Sequence, residues 1–203
     1  MTEAAPACKN GFVLIGMPGS GKSGLGRAAA TALGLRFVDL DLEIECRTRR
    51  TPKVVITEDG EAAFRKIETE TLAVYAANHK ISNVAIAGAA PDLHSADNHS
   101  PAQPFILSTG GGIVTVPENL PLLRRIGPII WIRRDMEEIA SSVAYAKDRP
   151  LLRSRASIDA LWQARKDLYA AWADIRFENY GKITDAAKRL TALLRTSLNV
   201  NFQ

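Results

Sequence analysis

"GMPGSGKSGLG", Gly16 to Gly26, decides how the rest of the chain is read. It follows the apolar run "FVLI" and leads into "SGLGRAAATALG", a stretch of helical composition. Gly16, Gly21, Lys22 and Ser23 fit the pattern G-x-x-x-x-G-K-[ST]. The glycines let the backbone turn so that successive N–H groups face phosphate oxygens. The helix that follows adds the positive end of its dipole. On this reading the loop from Gly19 through Ser20, Gly21, Lys22, Ser23 and Gly24 cradles a nucleoside triphosphate. Lys22 reaches the β- and γ-phosphates, and Ser23 ligates Mg²⁺. Such a loop serves many ATPases and GTPases, so it does not name the acceptor.

Outward from the loop, Gly11–Ile15 reads as a buried strand and Gly34 as a helix C-cap. "LRFVDLD" reads as a second strand that ends in acids. "DGEAAFRKIETETLAVYAANHK" is a helix whose apolar stripe runs through Phe64, Ile67, Leu72, Tyr75 and Ala76, interrupted by Thr71. "NVAIAGAA", "FILSTGGG" and "PIIWIRRD" read as further strands. "MEEIASSVAYA" and "LWQARKDLYAAWADI" read as helices. "RFEN" reads as a short last strand, and "TDAAKRLTALLRTSL" as a closing helix capped by Thr184. Strands that alternate with helices predict an α/β fold with a central parallel sheet of about five strands, covered on both faces.

At 203 residues the chain fits one domain, 1–203, with a loose tail at 1–10. Residues 46% apolar supply a sizeable core, and a net charge of +4 suits an anionic ligand. Nucleic acid would call for a clustered basic face, and the short group Arg47, Arg49, Arg50 and Lys53 reads as a solvated helix end. Two cysteines, Cys8 and Cys46, fit a reduced, cytoplasmic setting. No apolar run approaches the ~20 residues that span a bilayer. His79, His94 and His99 have no ligand cluster around them and read as loop residues. Trp131, Trp162 and Trp172 read as packing.

Three further motifs narrow the acceptor. In "FVDLDLEIE", Asp39 and Asp41 alternate, so an extended segment would put both on one face at the carboxyl end of its strand. One acid can hold the metal and the other can accept a hydroxyl proton. In "GEAAFRKIE", Arg65 and Glu68 are three apart on a helix, so Glu68 can orient a guanidinium for bidentate binding of a carboxylate. In "STGGGIV", consecutive glycines after an apolar strand allow close backbone approach to a ligand.

Together with "RPLL", these motifs stand in an order that resembles the shikimate kinase family of P-loop small-molecule kinases. The resemblance runs from about Gly11 to Leu194. It implies a P-loop NTPase fold of the nucleoside monophosphate kinase type with a mobile lid, placed at 141–157. It also implies transfer of the γ-phosphoryl group of ATP to the 3-hydroxyl of shikimate in aromatic amino acid biosynthesis. By the same resemblance Asp39 helps hold Mg²⁺, and Asp41 binds shikimate hydroxyls and acts as base. Arg65 and Arg165 bind the shikimate carboxylate, and Gly110, Gly111 and Gly112 form a platform under the ring. Arg149, in "DRPLL", is the lid arginine that swings over the phosphates, which makes Lys22, Asp41 and Arg149 the catalytic set. A monomer is the default expectation. Related readings are a kinase for another hydroxylated acid such as gluconate, which does not predict the Arg65, triple-glycine and Arg165 set, and a non-catalytic relative, which would be expected to lose Lys22, an aspartate or the lid arginine.

Two features depart from the family pattern. The stretch between Glu68 and Gly110 is long, and its excess at 81–104 is rich in Pro, Asp, Asn, Ser and His, which is loop chemistry. The last loop, "ENYGKITDAA", lacks the proline-containing basic segment that the family tends to carry on the adenine side; the adenine contact is expected near Lys182–Thr184.

Overall fold

The computed structural model describes residues 11–77, 104–144 and 155–199. The expected tail, the strand at 83–90, the three histidines, Cys8, all but Pro104 of the expected insertion, and the central part of the expected lid with Arg149 lie outside them.

Gly11–Ile15 forms β1, and all five of its residues are buried. A contiguous apolar run suits a strand with neighbours on both edges and helices on both faces. β1 pairs in parallel with β3 (Phe105–Ser108) on one side and β4 (Ile129–Arg134) on the other. β2 (Arg36–Asp39) lies outside β3, and β5 (Ile175–Asn179) outside β4. The parallel sheet therefore has the order β2-β3-β1-β4-β5.

Alternate residues of β1 enter different cores. Val13 and Ile15 pack with Leu107, Ile129 and Trp131 against α4 (Glu61–Ala77), α5 (Asn119–Ile126) and α7 (Arg155–Trp172). Phe12 and Leu14 pack with Ile106, Ile130 and Phe177 against α1 (Lys22–Leu33) and α8 (Ile183–Asn199). Each such buried side chain contributes roughly 1.5–3 kcal/mol relative to exposure. Gly26 lets α1 approach closely, since a Cβ there would lie 2.7 Å from the Phe37 ring and 2.8 Å from Leu14. The helices after β1 and β3 lie on opposite faces, so the crevice between these two strands is a topological switch point, where ligands bind in open α/β sheets.

The expected α4 stripe faces the core as read: Phe64, Leu72, Tyr75 and Ala76 are buried, Ile67 is partly buried against the same core, and Thr71 is buried with them. The Thr71 hydroxyl donates to the Ile67 carbonyl at 2.8 Å and accepts from Arg47 at 2.7 Å, which satisfies it inside the core. Gly34 caps α1 in the left-handed region, as expected, with φ 66°. The basic cluster is largely a helix end: Arg47 is in the last turn of α2 (Leu40–Thr48), Arg49 caps it, and Arg50 pairs with Glu58 and Asp59 of α3 (Pro52–Asp59). Trp131 and Trp172 are buried, and Trp162 packs against the same core.

Three sequence expectations are corrected. β2 ends at Asp39, and Asp41 belongs to α2 rather than to a strand. Leu40 and Ile44, four apart, are fully buried while Leu42 is exposed, which is helical and not strand spacing. Asp39 caps this helix by accepting the Asp41 N–H at 3.2 Å. At the other end of the chain, α8 starts at Ile183, so Thr184 lies within its first turn; the Lys182 carbonyl accepts the N–H groups of Asp185 and Ala186. α7 stops at Trp172, before the expected Ile175, because Asp174 is tied to Ile129 at the start of β4 and Ile175 joins β5. α6 (Met136–Ala144) follows β4 as read.

Candidate active site

The three motifs and the phosphate loop meet at the carboxyl ends of β1, β2 and β3. The loop leaves β1 and runs into α1, whose N-cap Gly21 supplies no side-chain cap. The first N–H groups of α1 thus have no capping oxygen from that position, which suits an anion. Lys22 is buried, and its Nζ donates to the carbonyls of Gly16 at 2.8 Å and Met17 at 2.9 Å. Its ammonium is folded back over the loop that it closes.

Ser23 faces β2. Its Oγ donates to Asp39 Oδ2 at 2.7 Å and lies 3.2 Å from Ser108 Oγ at the end of β3. Two hydroxyls and a carboxylate form an oxygen donor set of the kind that hard divalent cations take. The sequence reading named Ser23 and Asp39 and missed Ser108, although Ser108 stands in the quoted "STGGG". Its signal was its place as the last residue of a strand that runs into glycines.

Each platform glycine faces a different neighbour, which a side chain at that position would displace. A Cβ at Gly110 would lie 2.8 Å from Glu68 Oε1 and 3.0 Å from Asp41 Oδ1. At Gly111 it would meet Pro18 of the phosphate loop at 2.5 Å, and at Gly112 it would strike the Arg65 guanidinium. Asp41, Glu68, Arg65 and the phosphate loop therefore all border one short stretch of backbone.

Arg65 and Glu68 pair as expected, Nη1 to Oε2 at 2.7 Å, and Arg65 also donates to Glu61 at 2.8 Å. Glu68 has no exposed surface. Burial pushes its carboxyl up to about 7; Arg65 and Arg165 oppose the rise and the Asp41 carboxylate adds to it. Burial alone would lower the Arg65 pKa, but its pairing with Glu68 and Glu61 raises it above the ordinary value. Arg65 Nε and Glu68 Oε1 are buried without a hydrogen-bond partner among the described residues. Orphaned buried atoms of this kind call for a ligand or water.

Arg165 comes from α7 and is nearly buried, and its Nη1 donates to the Gly111 carbonyl at 3.2 Å. Tyr169, one turn on, donates its hydroxyl to the same carbonyl. Its ring stacks on Trp131 with centroids 5.9 Å apart, and burial pushes its phenol up to about 12. The sequence reading gave Tyr169, in "LWQARKDLYAAWADI", no role. Of the expected site residues, the structure gathers Gly19 to Gly24, Asp39, Asp41, Arg65, Gly110 to Gly112 and Arg165 around one crevice.

A parallel sheet of this order, with a phosphate loop after its central strand and a cluster of carboxylates and guanidinium groups around a glycine stretch beside it, defines a P-loop small-molecule kinase. The "Shikimate kinase" family profile matches residues 18–96 and 93–195. A shikimate kinase of Synechococcus elongatus is 34% identical over 166 residues, which cover 80% of this chain and 74% of that protein. One of Ruegeria pomeroyi is 32% identical over 201 residues, covering 97% of this chain and 90% of that protein. The solved structure of a shikimate kinase from Acinetobacter baumannii in complex with shikimate superposes with a TM-score of 0.75 at 27% identity, covering 92% of this chain and 93% of that one. The chain belongs to the shikimate kinase family. Among the described residues no helix is long and apolar enough to cross a membrane.

Proposed function

We propose that the chain transfers the γ-phosphoryl group of ATP to the 3-hydroxyl of shikimate. The observation that carries this is the approach of two arginines from two different helices, Arg65 to Gly112 and Arg165 to Gly111, beside the Asp41 carboxylate. A carboxylate on the acceptor would take the orphaned Arg65 Nε and the Arg165 guanidinium. A hydroxyl on the same ring would then face Asp41.

The reaction needs positioning and charge neutralisation more than covalent chemistry. Backbone N–H groups from Gly19 to Gly24 hold the phosphates. Asp41 accepts the hydroxyl proton as that oxygen bonds to the γ-phosphorus, and the bond from phosphorus to the bridging oxygen breaks to release ADP. Lys22 exchanges its two carbonyl partners for phosphate oxygens and offsets the charge that develops on the transferred group. Ser23 and Asp39, with Ser108 adjacent, would hold Mg²⁺, which supplies further neutralisation of phosphate charge when bound. By the family resemblance Arg149 adds a positive charge over the phosphates, and residues 141–157 serve as a lid that excludes water. The adenine rests by the loop between β5 and α8, where Ile183, exposed, lies 3.5 Å from the position of a Cβ on Gly24.

The test is ADP release from Mg-ATP with shikimate, with gluconate and without acceptor. ADP formed only with shikimate, together with a phosphorylated acid of the expected mass, supports the assignment. ADP formed equally with gluconate, or without acceptor, refutes it in favour of another kinase or a plain ATPase. No ADP in any tube, with nucleotide still bound, indicates a non-catalytic relative.

A further inference from the structure

We infer that Asn179, the last residue of β5, is a positioning residue that sets the direction of a phosphate-binding peptide in the loop. Asn179 is nearly buried, and its Nδ2 donates to the Ser20 carbonyl at 2.8 Å across 159 positions of sequence. It touches neither the acceptor pocket nor the reacting atoms, and the chemistry described above does not use it.

The argument rests on the geometry of one peptide unit. The described peptide bonds are trans, so the C=O of Ser20 and the N–H of Gly21 point in opposite directions. Holding the carbonyl out towards β5 turns the Gly21 N–H inward, to the mouth of the phosphate loop. Gly21 has φ 92° and ψ 9°, a region that glycine occupies without strain and in which its flanking peptides rotate easily. Rotation by half a turn would put the Ser20 oxygen in the cradle, with its partial negative charge against phosphate. Asn179 opposes that rotation, because its amide would lose its acceptor while buried. The same contact explains why position 21 is glycine: a Cβ there would lie 2.7 Å from Asn179 Nδ2.

The neighbouring loop carbonyls are held in the same way. Lys22 holds Gly16 and Met17, and Arg134 at the end of β4 donates to Gly19 at 3.3 Å. Asn179 differs from Lys22 in being neutral, so it orients the loop without contributing charge to the phosphates. The last strand thereby helps to build a site formed by the first.

The inference rests on the nucleotide half of the proposed function alone. It is tested by ADP binding without any acceptor, so a failure of shikimate as substrate leaves the test intact. Asn179→Asp keeps the size and replaces the donor by a carboxylate; Asn179→Ala removes the donor. Titration calorimetry should show ADP binding weakened about tenfold by either change, the cost of one buried hydrogen bond. KM for ATP should rise in step while KM for the acceptor stays within about twofold, a split that a general loss of packing would not produce. In the unsubstituted protein the Gly21 amide resonance should move on ADP addition, a readout independent of either variant's folding. Unchanged ADP affinity in both variants, equal loss for both substrates, or a Gly21 resonance that ADP leaves in place would overturn the assignment.

Discussion

Glu68 is fully buried, whereas its partner Arg65, 2.7 Å away, keeps 14% of its side chain open to solvent. The pair is thus asymmetric: the carboxylate bears the cost of burial and the guanidinium stays available to a ligand. The Glu68 carboxyl is held at about 7 instead of 4.5, because burial outweighs the pull of Arg65. Between those two values the folded protein binds more protons than the unfolded chain. This group's contribution to stability is therefore full below about 4.5 and is lost as the pH rises through about 7. Thermal unfolding followed from pH 5 to 8 should show the midpoint falling, and Glu68→Gln should flatten that part of the slope. Parallel slopes for the two proteins would count against a raised Glu68.

Arg65→Ala removes a charged donor from the acceptor side only. KM for shikimate should rise by roughly 10- to 150-fold, the equivalent of one charged hydrogen-bonding group. ADP affinity, measured separately, should stay within about twofold. Equal weakening of both ligands would show that Arg65 supports the fold as a whole.

Tyr169→Phe leaves the ring stacked on Trp131 and deletes the hydroxyl that holds the Gly111 carbonyl. Arg165 still donates to that oxygen, so the platform loosens without collapsing. We expect a loss of about 1 kcal/mol in denaturant titrations and a rise in KM for shikimate of roughly 2- to 10-fold. An unaltered KM would make Tyr169 a packing residue only.

Lys22→Ala should lower kcat by roughly 100- to 1000-fold, as expected for a donor aimed at developing transition-state charge. Both carbonyls that Lys22 holds belong to the loop itself, so circular dichroism should report a folded protein. Turnover within tenfold of the unsubstituted enzyme would remove Lys22 from the mechanism.

Much of the site was legible in sequence because its parts are local. Gly16 to Ser23 run from one strand into the first turn of one helix, and Arg65 and Glu68 lie three apart on one helix. The left-handed cap at Gly34 and the buried stripe of α4 follow from residue type and spacing. The reading slipped at "LRFVDLD": an extended Asp41 fits the alternation with Asp39, but the Asp39 cap and the acidic first turn after it make Leu40 onward a helix.

Ser108, Tyr169 and Asn179 could not be assigned from the chain alone, since the partners of each lie 58 to 159 positions away. The sequence by itself determined the phosphate loop, the Arg65–Glu68 pair and the alternation of strands with helices, each specified by residues within a few turns of one another. The tertiary structure alone decided the strand order, which seats β3 beside β1 and so brings the glycine platform against Pro18. It also decided the burial that raises Glu68, because removal from water depends on every element packed around a carboxyl, not on its neighbours in the chain.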